Sequence, residues 1–188
     1  YFRSDIECEM VVTNCLTGEA EYLSENQDRK RLMDICRASS SIPGMSPMVV
    51  IDGNPCLDGG SADSIPLIHA MKKGHRKNVV ILTRNQGYRK KKPGKSKAVY
   101  VAAFKKYPNL LNTLLNRYQV YNKTLDLIEK WISRACGDEG FAEKALRCIA
   151  EKNAHDLIYL YTGTANREVS YTIARQLIIR LLLEAILI

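Results

Sequence analysis

The feature that most constrains this sequence is a helical pattern running directly into a continuous apolar stretch. Ile65 to Lys73 has helical spacing and is closed by Gly74 in the manner of a C-cap. Asn78 to Thr83 then sets Val79, Val80, Ile81 and Leu82 side by side. Such a run predicts a strand buried on both faces, and a helix followed by a strand of that kind predicts an α/β layer with at least one parallel neighbour.

Around this unit the chain alternates short strands and turns before it becomes helical. Ile6 to Thr13 alternates, Thr17-Gly18 reads as a turn and Glu19 to Leu23 as a returning strand, so a hairpin is expected over 6–23. Arg29 to Ala38 reads as a short helix, with Leu32, Ile35 and Cys36 at spacings of three and four, ended by the stretch Ser39-Ser40-Ser41-Ile42-Pro43-Gly44. Met48 to Ile51 is a short strand, Asp52-Gly53-Asn54-Pro55 a strong turn signal, and Cys56-Leu57 a brief return. Beyond a basic loop from Arg84 to Lys97, helical patterns cover Ala98 to Lys106, Asn109 to Ala135, Phe141 to Lys152 and Val169 to Leu187. The chain therefore divides into a mixed portion, 1–97, and a helical extension, 98–188. The 188 residues suffice for one ordinary core.

The last stretch, Leu177 to Ile188, is interrupted by Arg180 and Glu184 and reads as a buried amphipathic helix. No apolar run reaches the length of a membrane span. The chain opens at Tyr1 without a basic and then apolar leader, and reads as cut rather than targeted. Six cysteines (Cys8, Cys15, Cys36, Cys56, Cys136, Cys148) show no metal-knuckle or redox-pair spacing and fit reduced thiols in a cytoplasmic protein. Lys and Arg outnumber Asp and Glu by 28 to 20, a net charge of +8 that favours anionic surfaces without choosing among them.

The chemistry centres on Leu57-Asp58-Gly59-Gly60. An aspartate at a strand end followed by two glycines lets the backbone turn sharply and leaves room beside the carboxylate, although Asp-Gly-Gly alone is more often a solvated turn. Its surroundings are more specific. Val11-Val12-Thr13-Asn14 with Thr17-Gly18, the segment Ala38 to Gly44, Ile51-Asp52-Gly53 through Gly60 with Asp63, Ile65 and Pro66, then Lys77 through Leu82-Thr83-Arg84, Gly87-Tyr88-Arg89-Lys90, Lys106-Tyr107-Pro108 and Tyr121-Asn122 together resemble the bacterial branch of the patatin-like phospholipases, over most of residues 5–130.

The resemblance implies a three-layer α/β/α fold, incomplete at the N-terminus, with the helical C-terminal region behind it, so that 1–97 is the C-terminal part of a catalytic domain. It also implies a lipid acyl hydrolase working by a Ser-Asp dyad. In that chemistry the aspartate takes the proton of a serine on a Gly-x-Ser-x-Gly elbow as the serine attacks an ester carbonyl, and a glycine-rich loop stabilises the oxyanion. The implied general base is Asp58, within Asp58, Gly59 and Gly60, while Asp52 supports the loop. No metal and no organic cofactor is implied.

The sequence departs from that pattern in lacking both the elbow and the oxyanion loop. Gly44-Met45-Ser46-Pro47-Met48 has no second glycine and sets proline beside the serine, so Ser46 is rejected as nucleophile. The missing elements lie N-terminal to the matching region in the family, which implies truncation and an isolated chain that is inactive. A second departure covers Ile132 to Ala150.

Other features have plainer readings. The run Arg89, Lys90, Lys91, Lys92 is either a solvated loop or a peripheral contact with an anionic membrane. Nucleic acid ranks behind both, with no aromatic platform or recognition fold in evidence. His69, His75 and His155 read as structural, and the tyrosines at 100, 107, 118, 121, 159 and 161 as helix and core contacts. The rival to the hydrolase is a non-catalytic, anionic-lipid-binding or regulatory module.

Overall fold

The computed structural model describes residues 6–75, 78–84, 87–136 and 157–161, with side chains through residue 131. These residues form a mixed α/β protein that clusters into two compact units, one of residues 1–66 with 89–124 and the other of 67–88 with 125–188.

The first unit is built on a four-stranded antiparallel sheet in the order β2-β1-β4-β3. Strand β1 (Met10–Asn14) pairs with β2 (Ala20–Leu23) from Met10↔Leu23 to Thr13↔Ala20. Its other edge pairs with β4 (Asn54–Asp58) through Val12↔Asp58, Thr13↔Leu57 and Asn14↔Cys56. Strand β3 (Val49–Ile51) joins β4 by a two-residue turn in which Asp52 and Gly53 both have positive φ, 50° and 83°. That left-handed pair matches the twist of a tight hairpin, and Asp-Gly tolerates it.

Because strand side chains alternate between faces, β4 sends Cys56 to one side of the sheet and Leu57 to the other. Cys56 joins Val12, Val49 and Ile51 against Ile35 and Ala38 of helix α1 (Arg29–Ser39). Leu57 and Cys15 meet Phe104, Leu110 and Leu114. The latter residues come from the end of helix α3 (Ser96–Ala103) and the start of α4 (Pro108–Cys136), so helices cover both faces. Burying each such Leu or Ile contributes about 1.5–3 kcal/mol. Helix α1 begins where Asp28 accepts from the amides of Lys30 and Arg31, a side-chain N-cap.

The expected hairpin over 6–23 is present, and its tip docks on α4. Gly18 has φ of 73°, a Cβ there would lie 2.6 Å from the Asn109 carbonyl oxygen, and Thr113 Oγ1 donates to the Gly18 carbonyl at 2.6 Å. Residues 98–124, read from the sequence as opening a helical extension, thus pack in the same unit as the antiparallel sheet.

In the second unit, helix α2 (Leu67–Lys72) ends before Gly74, at φ 92°, and leads to β5 (Asn78–Leu82). Strand β5 has the predicted parallel neighbour, β6 (Leu157–Tyr161), in register from Asn78↔Leu157 to Leu82↔Tyr161. Burial on both faces is not found. Val80 and Leu82 are buried, whereas Val79 and Ile81 are 45% and 51% exposed, because the two-residue period sends them to the opposite face. Strand β6 also interrupts the helical reading of the C-terminal half, where Leu157-Ile158-Tyr159-Leu160-Tyr161 is a run of strand formers. The helical patterns at 141–152 and 169–187 lie outside the described residues. No helix among the described residues is long and apolar enough to cross a membrane.

Candidate active site

Asp58 is the last residue of β4, and every part of it but one oxygen is held. Its amide donates to the Ser41 carbonyl at 2.9 Å, and its own carbonyl accepts from Thr13 Oγ1 at 2.9 Å. Its carboxylate Oδ1 accepts from the Gly60 amide at 2.9 Å, so the side chain caps a 3₁₀ turn over Gly59–Ser61. No hydrogen bond to Oδ2 is found among the described residues.

The two glycines serve different purposes. A Cβ on Gly59 would be driven into the carbonyl of Val11, so only glycine lets the turn lie against β1. At Gly60 a Cβ would stand 3.3 Å from Asp58 Oδ1, crowding the capped oxygen without colliding with backbone.

Thr13, fully buried on β1, fastens the turn from beneath. Besides donating to Asp58, its hydroxyl accepts from the Ala62 amide at 3.2 Å. Asp63 follows, its Oδ1 accepting from the Ile65 amide and its Oδ2 from the Tyr22 hydroxyl at 2.7 Å. Burial and that carboxylate push the Tyr22 phenol well above its usual range. Ser61 Oγ is buried in the turn with no hydrogen-bond partner.

A second set of bonds ties the basic loop to this turn. Ser64 Oγ donates to the Gly60 carbonyl at 2.6 Å and accepts from Lys90 Nζ at 2.7 Å. The Lys90 ammonium also lies 4.2 Å from the centroid of the Tyr121 ring, within cation–π range. The Lys90 backbone is gripped by Asn122, which accepts from its amide at 2.9 Å and donates to its carbonyl at 3.0 Å. Within the run Arg89 to Lys92, Arg89 and Lys90 are therefore half-buried, while Lys91 and Lys92 are exposed.

Asp52 supports a turn. Arg31 holds it through both carboxylate oxygens, Nη2 to Oδ2 at 2.6 Å and Nε to Oδ1 at 3.1 Å, and reaches Glu25 Oε2 at 3.0 Å. The guanidinium holds the Asp52 carboxyl below its usual range. The amides of Asp28 and Gln27, together with Arg31, lower Glu25 to about 2.

The remaining candidates are not assembled around Asp58. Ser46 sits in a turn, its amide donating to the Ile42 carbonyl, and no hydrogen bond joins it to Asp58. His69 lies in α2 and His75 just past Gly74, both in the second unit, and His155 is outside the described residues. Of the tyrosines, Tyr100 and Tyr107 pack against the second core cluster, whereas Tyr121 serves Lys90. Burial pushes the Cys15 and Cys56 thiols up to about 12 and about 11, which keeps them protonated and poor nucleophiles. Among the described residues no cluster of His, Cys, Asp and Glu could hold a metal ion.

The arrangement is a carboxylate fixed at the end of a strand, with one oxygen committed to its own turn and the other able to accept a proton. Sequence reading found Asp58 and its glycines. It assigned no role to Thr13, Ser64 or Asn122, whose contacts with the turn and the basic loop span 26 to 49 residues. The chain matches no protein-family model and no curated protein.

Proposed function

We propose that this chain carries the general-base half of a patatin-like lipid acyl hydrolase, a serine esterase of phospholipids or neutral lipids, with Asp58 as the base. The observation that carries this reading is the immobilisation of Asp58 by Ser41, Thr13 and Gly60, which leaves Oδ2 as the proton acceptor. A base must be held within hydrogen-bond reach of the proton it takes, and a capped strand end does this without side-chain searching. The sheet with helices on both faces is compatible with the three-layer α/β/α fold of that class.

In the proposed reaction a serine hydroxyl gives its proton to Asp58 Oδ2 as its oxygen attacks the ester carbonyl. The alcohol leaves, and water, deprotonated in turn by Asp58, releases the fatty acid. The serine and the oxyanion donors come from sequence that this chain does not contain, so the isolated chain turns over no ester. The setting is cytoplasmic, with peripheral membrane contact and no cofactor. The test is ester hydrolysis by the product of the complete reading frame, compared with its Asp58→Asn variant. Loss of the base lowers kcat by about three to four orders of magnitude, and an unchanged rate would remove Asp58 from the mechanism.

A second reading, a non-catalytic module that binds anionic lipid, is favoured by the exposure of Lys91 and Lys92 and by the absence of any serine bonded to Asp58 among the described residues. It predicts no ester turnover from the complete reading frame and salt-sensitive vesicle binding.

A further inference from the structure

The exposed apolar side chains of the first unit gather at one place. Residues Ile42 to Met45 form a turn closed by the Met45 amide on the Ile42 carbonyl at 3.0 Å, with Pro43 buried beneath it. The turn presents Ile42, 50% exposed, and Met45, 83% exposed, to solvent. Helix α3 runs alongside, since a Cβ at Gly44 would lie 4.0 Å from Val99 Cγ1. This helix has no buried residue, and its Ala98, Val99, Val101 and Ala102 are all exposed, Val99 at 56%. Water-soluble surfaces carry single exposed aliphatic residues without consequence, but a turn and a helix that expose them together form an apolar patch.

The charge around this patch has one sign. Lys91, Lys92, Lys95 and Lys97 are exposed at or just before the start of α3, and Lys105 and Lys106 just after its end. Eight helical residues span about 12 Å, so both groups stand close to the aliphatic side chains. No Asp or Glu occurs anywhere between Asp63 and Asp126. An aliphatic patch inside a lysine rim, with no carboxylate in that stretch to oppose an anion, matches the interface of an anionic bilayer, where acyl chains take the aliphatic groups and headgroup phosphates the ammonium groups. Nucleic acid would satisfy the lysines but has no acyl layer for Ile42, Met45 and Val99.

We propose that the 42–45 turn and helix α3 form a membrane-docking face that inserts Ile42, Met45 and Val99 into the interfacial layer of an anionic bilayer, while Lys91, Lys92, Lys95 and Lys97 engage its phosphates. The face extends beyond the basic loop, adds an insertion element to it, and leaves out Lys90, whose ammonium is engaged with Ser64 and Tyr121. It does not rest on the hydrolase reading, because Asp58 takes no part.

The test is sedimentation of the 188-residue chain with phosphatidylcholine vesicles, with and without phosphatidylglycerol. The chain binds the phosphatidylglycerol vesicles, more weakly as salt rises. The double variant Met45→Asp with Val99→Asp lowers the affinity by at least about tenfold, since aliphatic area is lost and repulsion added. Lys91→Ala with Lys92→Ala lowers it by about 25-fold, roughly fivefold for each lysine. Both pairs are exposed, and an unchanged far-ultraviolet circular dichroism melt verifies their folding. A Met45→Trp variant gives a second readout, a blue-shifted tryptophan emission with phosphatidylglycerol vesicles and none with phosphatidylcholine alone. Absence of binding to phosphatidylglycerol vesicles overturns the proposal, as does full binding by the Met45→Asp, Val99→Asp variant. Self-association that the same double variant abolishes would also overturn it, giving the face to a second copy of the chain.

Discussion

Thr13 and Asp58, 45 residues apart in sequence, are joined by a hydrogen bond of 2.9 Å from the threonine hydroxyl to the aspartate carbonyl, made from the neighbouring strand. The same hydroxyl accepts from Ala62, so one side chain satisfies groups at both ends of the 3₁₀ turn. Replacing Thr13 by Val keeps the volume and orphans both groups. The expected cost is about 1–3 kcal/mol for the buried groups left unpaired, read as a fall in the urea midpoint at constant slope. Thr13→Ser, which keeps the hydroxyl, recovers most of it.

Gly59 and Gly60 differ in what a methyl group would meet. Gly59→Ala forces a carbon into the Val11 carbonyl and is expected to cost about 1–3 kcal/mol or more, as overpacking does. Gly60→Ala meets only the Asp58 carboxylate at 3.3 Å and costs less. Thermal melts of the two variants rank them, and equal losses would contradict the close approach at Gly59.

Ser61 holds a buried hydroxyl without a hydrogen-bond partner. Ser61→Ala removes that oxygen and raises stability by about 1 kcal/mol, the lower end of the cost of an unmet buried polar group. A loss of similar size in the urea titration would show that the hydroxyl has a partner.

The Arg31 cluster sets an acid limit. Its carboxyls, Glu25 and Asp52, have folded-state values below their unfolded ones. Between those values the unfolded chain binds more protons, so the contribution is present above the unfolded value and is lost as pH falls through the folded value. For Glu25 that window runs from the ordinary 4.5 down to about 2. Arg31→Ala is less stable than the parent at neutral pH, and the difference shrinks across this window in pH-dependent melts. Both carboxyls are solvent-exposed, so salt narrows it further.

What the sequence disclosed was local. The Asp52-Gly53 turn, the N-cap region of α1, the closing Gly74 and the Asp-Gly-Gly turn each depend on residues within a few positions, and each lies where its pattern predicts. The parallel partner of β5 was also legible, from the helix-then-strand order. Its second face was not, because a four-residue aliphatic run looks alike whether one or both faces are covered. The supports of Asp58 were illegible for a different reason. Thr13, Ser64 and Asn122 are ordinary residues in a strand, a loop and a helix, and they acquire meaning only when the fold brings them to the turn and its loop. One hint was available: Thr13 is a hydroxyl in a strand whose neighbours Val11 and Val12 are aliphatic, and a buried hydroxyl needs a partner.

The two hairpins differ in what their tips would accept. A hairpin tip is ordinarily where a chain tolerates an inserted tag or suffers a protease cut. The Gly18 tip is the opposite, pressed on α4 with no room for one added carbon, so an epitope placed there would pry the β1–β2 ribbon from its helix. At Gly53 an added Cβ would meet nothing within 4 Å, which makes the β3–β4 tip the place to attach a label while leaving the Asp58 turn undisturbed.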